Sequence, residues 1–269
     1  MPFADANGQR LYYEVHGSGE PLMMVGGLGS DHLAWGLQLP ACSQRFQTVV
    51  FDNRDSGHSS HAVGTYHVSH MAQDALALAD ALELDRFHLL GGSLGGAIAQ
   101  EMALSAPERV LTLTLCMTWG GSGPWGIERG RLSAAAARRT PREELIDTLM
   151  LMTLSEGFYE RPDAVAFLRR MTVDHPHPQG TEAFIRQLEA GARHETRRRL
   201  PSLTLPVHVV GAECDMLVPV WKSRELAELI PGAELTVLDG ASHGIAMEDP
   251  ERFNKVLIDF LTRPRAAAA

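Results

Sequence analysis

Cysteine is scarce in this chain of 269 residues: Cys42, Cys116 and Cys214 cannot all pair and have no metal-ligand spacing. That excludes a disulfide framework and a cysteine-held metal, and it points to free thiols in a reducing compartment. Apolar runs are short as well. None approaches the roughly 20 residues that a membrane-spanning helix needs. The N-terminal Met1-Pro2-Phe3-Ala4-Asp5 lacks the basic-then-apolar order of a secretory signal. Basic charge is also in deficit, with 24 Lys and Arg against 33 Asp and Glu, a formal net charge of −9. Nucleic acid and anionic membrane surfaces reward basic patches, so neither is expected as a partner. Lysine itself is nearly absent, with Lys222 and Lys255 against arginine everywhere else, a bias that suggests a GC-rich genome more than a function. The expectation is a cytoplasmic protein, monomeric or a homo-oligomer.

What is present is a 45% hydrophobic composition, enough for one sizeable α/β core with an insertion. Asn7-Gly8 marks a hairpin turn near the N-terminus. Strand and helix patterns alternate from residue 21 to 115 and resume at residue 206, which predicts a mostly parallel sheet flanked by helices. Residues from about 118 to 200 carry no strand signal and read as helices, among them 142–152 and 162–173. The division is therefore a core of 1–117 and 201–269 with a helical cap of 118–200. A cap over the carboxyl edge would exclude water and shape the pocket. The alanine tail, 266–269, reads as a frayed end.

The most informative segment is Gly91-Gly92-Ser93-Leu94-Gly95-Gly96, which follows the apolar Phe87-His88-Leu89-Leu90 and opens a helical pattern. A strand-to-helix turn this tight strains its central residue and leaves no room for side chains two positions before or after it. Gly91 and Gly95 supply that room, Ser93 becomes the candidate nucleophile, and Gly92 in place of a bulkier residue leaves space beside it. Gly-x-Ser-x-Gly alone arises by chance among 25 glycines, so the context decides. An acid and a histidine must follow in that order. Asp215 comes after the apolar Val207-His208-Val209-Val210, and His243 comes after Glu234-Leu235-Thr236-Val237-Leu238. Both then lie at the carboxyl edge of a parallel sheet, where such sheets place ligands. A serine hydroxyl is a weak nucleophile. His243 would take its proton, and Asp215 would orient the imidazole and stabilise its charged form. Glu213 is the competing acid. After Pro21-Leu22-Met23-Met24-Val25, the loop Gly26-Gly27-Leu28-Gly29-Ser30 can bring backbone close to a ligand. The N–H groups of Leu28 and Leu94 are the candidate oxyanion donors.

With these segments in order, and with Asp52-Asn53-Arg54-Asp55-Ser56-Gly57-His58-Ser59 between them, the chain resembles the α/β-hydrolase superfamily over essentially its whole length. Within it, the chain is similar to small esterases and lactonases near the 3-oxoadipate enol-lactonases and polyketide methylesterases. The resemblance implies an α/β-hydrolase fold and a structural role for the Asp52 to Ser59 signature. Serine at the elbow disfavours dehalogenase and epoxide hydrolase chemistry, which use aspartate there. Thr118-Trp119 after the sixth strand offers no alternative acid.

The implied activity is hydrolysis of a small-molecule carboxylic ester or lactone through an acyl-enzyme on Ser93, with no cofactor and no metal. Gly27, Trp119 and Trp125 are the candidate substrate-binding residues, although tryptophans at helical spacing are commonly packing. Arg193, Arg197, Arg198 and Arg199 could steer an anion, or simply form a solvated face. Competing readings on the same triad are a C–C bond hydrolase, which needs a cation such as Arg54 to hold a carboxylate, and a perhydrolase. A non-catalytic ligand receptor of the same fold is the alternative outside enzymology.

Overall fold

A computed structural model describes residues 2–264; the alanine tail lies outside them. One sheet is built from β1 (Phe3–Ala6), β2 (Gln9–His16), β3 (Glu20–Val25), β4 (Phe46–Phe51), β5 (Phe87–Gly92), β6 (Val110–Cys116), β7 (Val207–Ala212) and β8 (Glu234–Leu238), in the order β1-β2-β4-β3-β5-β6-β7-β8. β1 and β2 form the antiparallel hairpin, turning at Asn7 (φ 49°) and Gly8 (φ 74°), and β2 is antiparallel to β4. The remaining six strands run parallel. The core helices are α1 (Leu39–Cys42), α2 (Val68–Ala81), α3 (Leu94–Ser105), α9 (Trp221–Leu229), α10 (Ile245–Glu248) and α11 (Pro250–Leu261).

The continuous apolar run of β3 is explained by burial on both faces. Leu22 and Met24 pack with Leu90, Cys116, Val210 and the α11 residues Phe253, Leu257 and Phe260. Met23 and Val25 face the other way, onto Leu89, Leu113, Val209 and the α2 and α3 residues Met71, Leu78, Ile98 and Met102. α11 presents Phe253, Leu257, Phe260 and Leu261, a single apolar stripe at helical spacing. Its start is set by Pro250 in the first turn and by Asp249, whose side chain accepts from Arg252 N (3.1 Å).

Between β6 and β7 stand α4 (Gly123–Ala137), α5 (Arg142–Thr153), α6 (Glu156–Tyr159), α7 (Pro162–Val173) and α8 (Thr181–Ala192). A β-bridge between Gly121 and Glu195 closes the two ends of this insertion. α4 packs against α8 around Ala134, Ala137, Phe184 and Ile185, while Ile146, Met150, Leu154 and Phe158 form a second cluster under α5 and α6. The insertion is pinned to the core by Arg186, which grips both Asp55 carboxylate oxygens (2.9 and 2.6 Å), and by Gln187 Nε2, which donates to Arg54 O (2.8 Å). No helix among the described residues is long and apolar enough to cross a membrane.

The topology also locates the site. β3 lies between β4 and β5, so the chain leaves β3 on one side and returns on the other. The crevice at such a reversal opens at the carboxyl ends of the strands, where the loop 26–30 and Ser93 both emerge.

Candidate active site

Ser93 sits between β5 and α3 at φ 53° and ψ −120°, a conformation that a side-chain-bearing residue holds only under constraint. The constraint is visible around it. Ser93 N donates to Cys116 O (2.9 Å), and Thr118 Oγ1 donates to Ser93 O (2.7 Å). A Cβ on Gly91 would lie 2.3 Å from Gly95 O, and one on Gly95 would lie 2.1 Å from Val25 O. The two flanking glycines are therefore required by close approach of backbone.

The loop after β3 passes directly over this serine: a Cβ on Gly27 would stand 3.2 Å from Ser93 Cβ and 3.8 Å from its Oγ. Gly29 takes φ 75° within the loop, and Asn53 Nδ2 holds Gly26 O (3.1 Å). Leu28 is wedged between the main core and the α4–α8 cluster. Leu94 is the first residue of α3, so its N–H has no acceptor within the helix. One expectation is corrected here. Gly92 leaves no empty space beside the nucleophile, because the Trp35 indole fills it; a Cβ on Gly92 would lie 3.2 Å from that ring. Trp35 belongs to the short 3-10 turn His32–Trp35, and sequence reasoning passed over it.

Beyond β7, the buried Asp215 places Oδ2 2.7 Å from His243 Nδ1. Its Oδ1 accepts from Leu217 N (2.8 Å) and Val218 N (2.7 Å). A carboxylate oxygen accepts, so Nδ1 is the donor to Asp215 and, in the neutral ring, Nε2 is the nitrogen with the free lone pair. Glu213 is exposed and spent on a different task, accepting from Gly240 N (2.7 Å). Cys214 N donates to Ala241 O (2.8 Å), which stitches the acid loop to the histidine loop. The acid and histidine are thus joined, whereas among the described residues no hydrogen bond links Ser93 Oγ to His243.

The remaining sequence candidates fall as follows. Trp119 packs against the core with its ring edge toward His194, and Trp125 is 64% exposed on α4, beneath the Arg129 guanidinium. Arg54 is locked in a buried two-point pair with Asp74 (2.5 and 2.6 Å). Arg193, Arg197 and Arg199 are paired with Glu189, Glu195 and Glu101. Two histidines of the insertion also reach the core: His175 meets Asp31 (2.9 Å), and the His177 ring lies 3.9 Å from that of His58.

His32, Asp52 and His58 bring potential ligand atoms within 4.8 Å of one another. Their geometry serves another purpose. The Asp52 carboxylate already accepts from the backbone N–H groups of His32 (2.8 Å) and His58 (2.7 Å). His32 Nδ1 is 2.7 Å from it, with Glu14 3.7 Å away on the other side of the ring. Burial opposes charge on His32, yet the Asp52 hydrogen bond and the Asp52, Asp31 and Glu14 charges raise its pKa above the ordinary value. This is a proton-bridged clasp that holds the end of the 26–30 loop to the segment after β4.

A family profile described as alpha/beta hydrolase fold matches residues 20–250. A protein of Azorhizobium caulinodans named "Putative carbamate hydrolase RutD" is 29% identical over 265 residues, covering 97% of this chain and 98% of its own length. The protein of the same name from Rhizobium rhizogenes is 30% identical over 260 residues, covering 93% of this chain and 97% of its own. The crystal structure of the enol-lactonase from Burkholderia xenovorans LB400 superposes with a TM-score of 0.89 at 29% identity, over 97% of this chain and 100% of that one. Sheet order, elbow and relatives agree, and the chain belongs to the α/β-hydrolase fold family.

Proposed function

We propose that this hydrolase cleaves a carboxylic ester or lactone without a cofactor, through an acyl-enzyme on Ser93. The observation that carries the reading is the strained Ser93 beneath Gly27, at the same sheet edge as the hydrogen-bonded Asp215–His243 pair. Ser93 Oγ attacks the acyl carbon while His243 Nε2 takes its proton. The serine hydroxyl turns about one bond, and serine–histidine contacts of this kind tighten when substrate is bound. The oxyanion is held by the N–H groups of Leu28 and Leu94, each contributing roughly 3 kcal/mol to the transition state. His243 then protonates the departing alkoxide, and a water activated by the same imidazole hydrolyses the acyl-enzyme. In a lactone the alcohol leaves while still tethered to the acyl group.

The names of the relatives favour one second reading, a carbamate, whose carbonyl would meet the same groups. Nitrogen donates electron density into that carbonyl, so acylation should be slower than with an ester of the same size. The C–C bond hydrolase reading loses its candidate cation, since Arg54 is already paired with Asp74.

The test is labelling and turnover. A fluorophosphonate should modify Ser93, and Ser93→Ala should abolish labelling and lower kcat on a short p-nitrophenyl ester by about 10³- to 10⁶-fold. Absence of turnover with ester, lactone and carbamate alike would favour the receptor. Labelling that persists in Ser93→Ala would remove the elbow from the chemistry.

A further inference from the structure

The histidine loop is held by the insertion on both flanks of His243. On one flank Gly244 N donates to Thr153 O (2.8 Å), at the last residue of α5. On the other, the Ser242 hydroxyl donates to the Glu248 carboxylate, which also accepts from the Ser155 hydroxyl and from Ser155 N (2.8 Å). Ser155 is the N-cap of α6, and its Oγ accepts in turn from Phe158 N (3.1 Å). Ser242 Oγ likewise accepts from Gly244 N (3.0 Å), whose one proton it shares with Thr153 O. A hydroxyl has one proton to give, so the directions are fixed: both serines donate to Glu248 and both accept from a backbone N–H. The result is a closed circuit of chain and hydrogen bonds: Thr153 runs through Leu154 to Ser155, which bonds Glu248, then Ser242 and Gly244, and back to Thr153. The acid loop is tied to the insertion too, because Arg129 Nη1 donates to Leu217 O (2.9 Å), and Leu217 N is one of the donors to Asp215.

We infer that Glu248 is a positioning residue that transmits the seating of the α5–α6 junction to His243. Among the described residues His243 itself makes no bond to the insertion; Gly244 bonds to the insertion directly and Ser242 reaches it through Glu248. Hydrogen bonds to an ionised carboxylate are the stiff ones, and misplacing a catalytic group by about 1 Å costs up to 10²-fold in rate. A substrate that displaces the α5–α6 junction would therefore displace the base as well. The inference rests on the reading of His243 as that base.

Ser155→Ala and Ser242→Ala, singly and together, test it, with two readouts. The first is kcat and KM on a short p-nitrophenyl ester. The second, independent of turnover, is the low-field proton NMR resonance of the hydrogen between His243 Nδ1 and Asp215. Each single variant should lose about 10-fold in kcat with little change in KM. The double variant should be no worse than the poorer single one, because both cut the same path. The resonance should broaden in Ser155→Ala, although that residue lies outside the loop. Ser155→Thr, which keeps the hydroxyl, should restore both, and Thr148→Ala on the exposed side of α5 should change neither. Full kcat and an unshifted resonance in Ser155→Ala, with only the melting temperature lowered, would overturn the inference. Additive losses in the double variant would do the same. If wild-type enzyme turns nothing over but the resonance still responds to Ser155, the proposed reaction fails while the coupling stands.

Discussion

Asp215 and Glu213 stand two residues apart with the same functional group, yet only one meets a histidine. The difference is the turn after β7. It aims the N–H groups of Leu217 and Val218 at Asp215 Oδ1 and leaves Oδ2 for His243 (2.7 Å), while Glu213 reaches out to Gly240 N. Asp215→Asn should therefore lower kcat by up to about 10⁴-fold, because the amide oxygen stays with the Leu217 and Val218 N–H groups, leaving an NH2 donor against His243 Nδ1 and no charge to stabilise the protonated ring. Glu213→Gln should remain near wild type, and both variants should melt cooperatively. The reverse ranking in steady-state kinetics would reassign the acid. Both acids were legible on this loop, Asp215 as the candidate and Glu213 as its competitor. The two backbone donors were not, since they exist only once the turn has formed. Trp35 was hidden for the same kind of reason: nothing near residue 35 in the chain announces that its indole will lie on Gly92.

At the scale of elements, the elbow separates glycines that are required by packing from those that are not. Gly95→Ala would set a methyl 2.1 Å from Val25 O, a backbone atom in the centre of the sheet that cannot give way. It should cost on the order of 3 kcal/mol in urea unfolding and abolish fluorophosphonate labelling. Gly157 in α6 has open space, its nearest neighbour being Ser155 Oγ at 3.9 Å. Gly157→Ala should be neutral or stabilising by about 0.5–1 kcal/mol. If Gly95→Ala folds with wild-type stability and labels normally, the close-packed account of the elbow is wrong. The strand–glycine–helix order was readable because each part is local. Helices 142–153 and 162–173 fall within one residue of where apolar periodicity placed them. How they pair was not readable, because α4 meets α8 and α5 meets α7 through side chains far apart in the chain.

Over the whole molecule, two of the buried histidines should weaken stability as pH falls. His194, after α8, is held neutral by burial, with its pKa pushed down to about 3; the Arg199 charge adds to this and Glu195 opposes it. His208 in β7 is pushed down to about 4, again chiefly by burial. The unfolded chain binds protons at these positions from about pH 6.5 downward, whereas the folded chain does not until near pH 3 to 4. Their contribution is thus complete above pH 6.5 and is lost as pH falls through that window, roughly 2 kcal/mol apiece at pH 5. The melting temperature should drop by several degrees between pH 7 and 5, and His208→Gln should flatten that slope. An unchanged slope in that variant would show that other groups dominate. Neither histidine could be singled out among the twelve in the chain, since burial is a property of the fold. By itself the sequence determined the α/β alternation, the glycine spacing around Ser93 and the order of serine, acid and histidine. Those follow from sterics and hydrogen bonding within a few residues. Only the tertiary structure decided that Trp35 fills the space at Gly92, that Gln187 reaches Arg54 and that Ser155 reaches Glu248. Each of those contacts joins residues dozens to more than a hundred positions apart, and no local preference of the chain specifies which distant surface a side chain will meet.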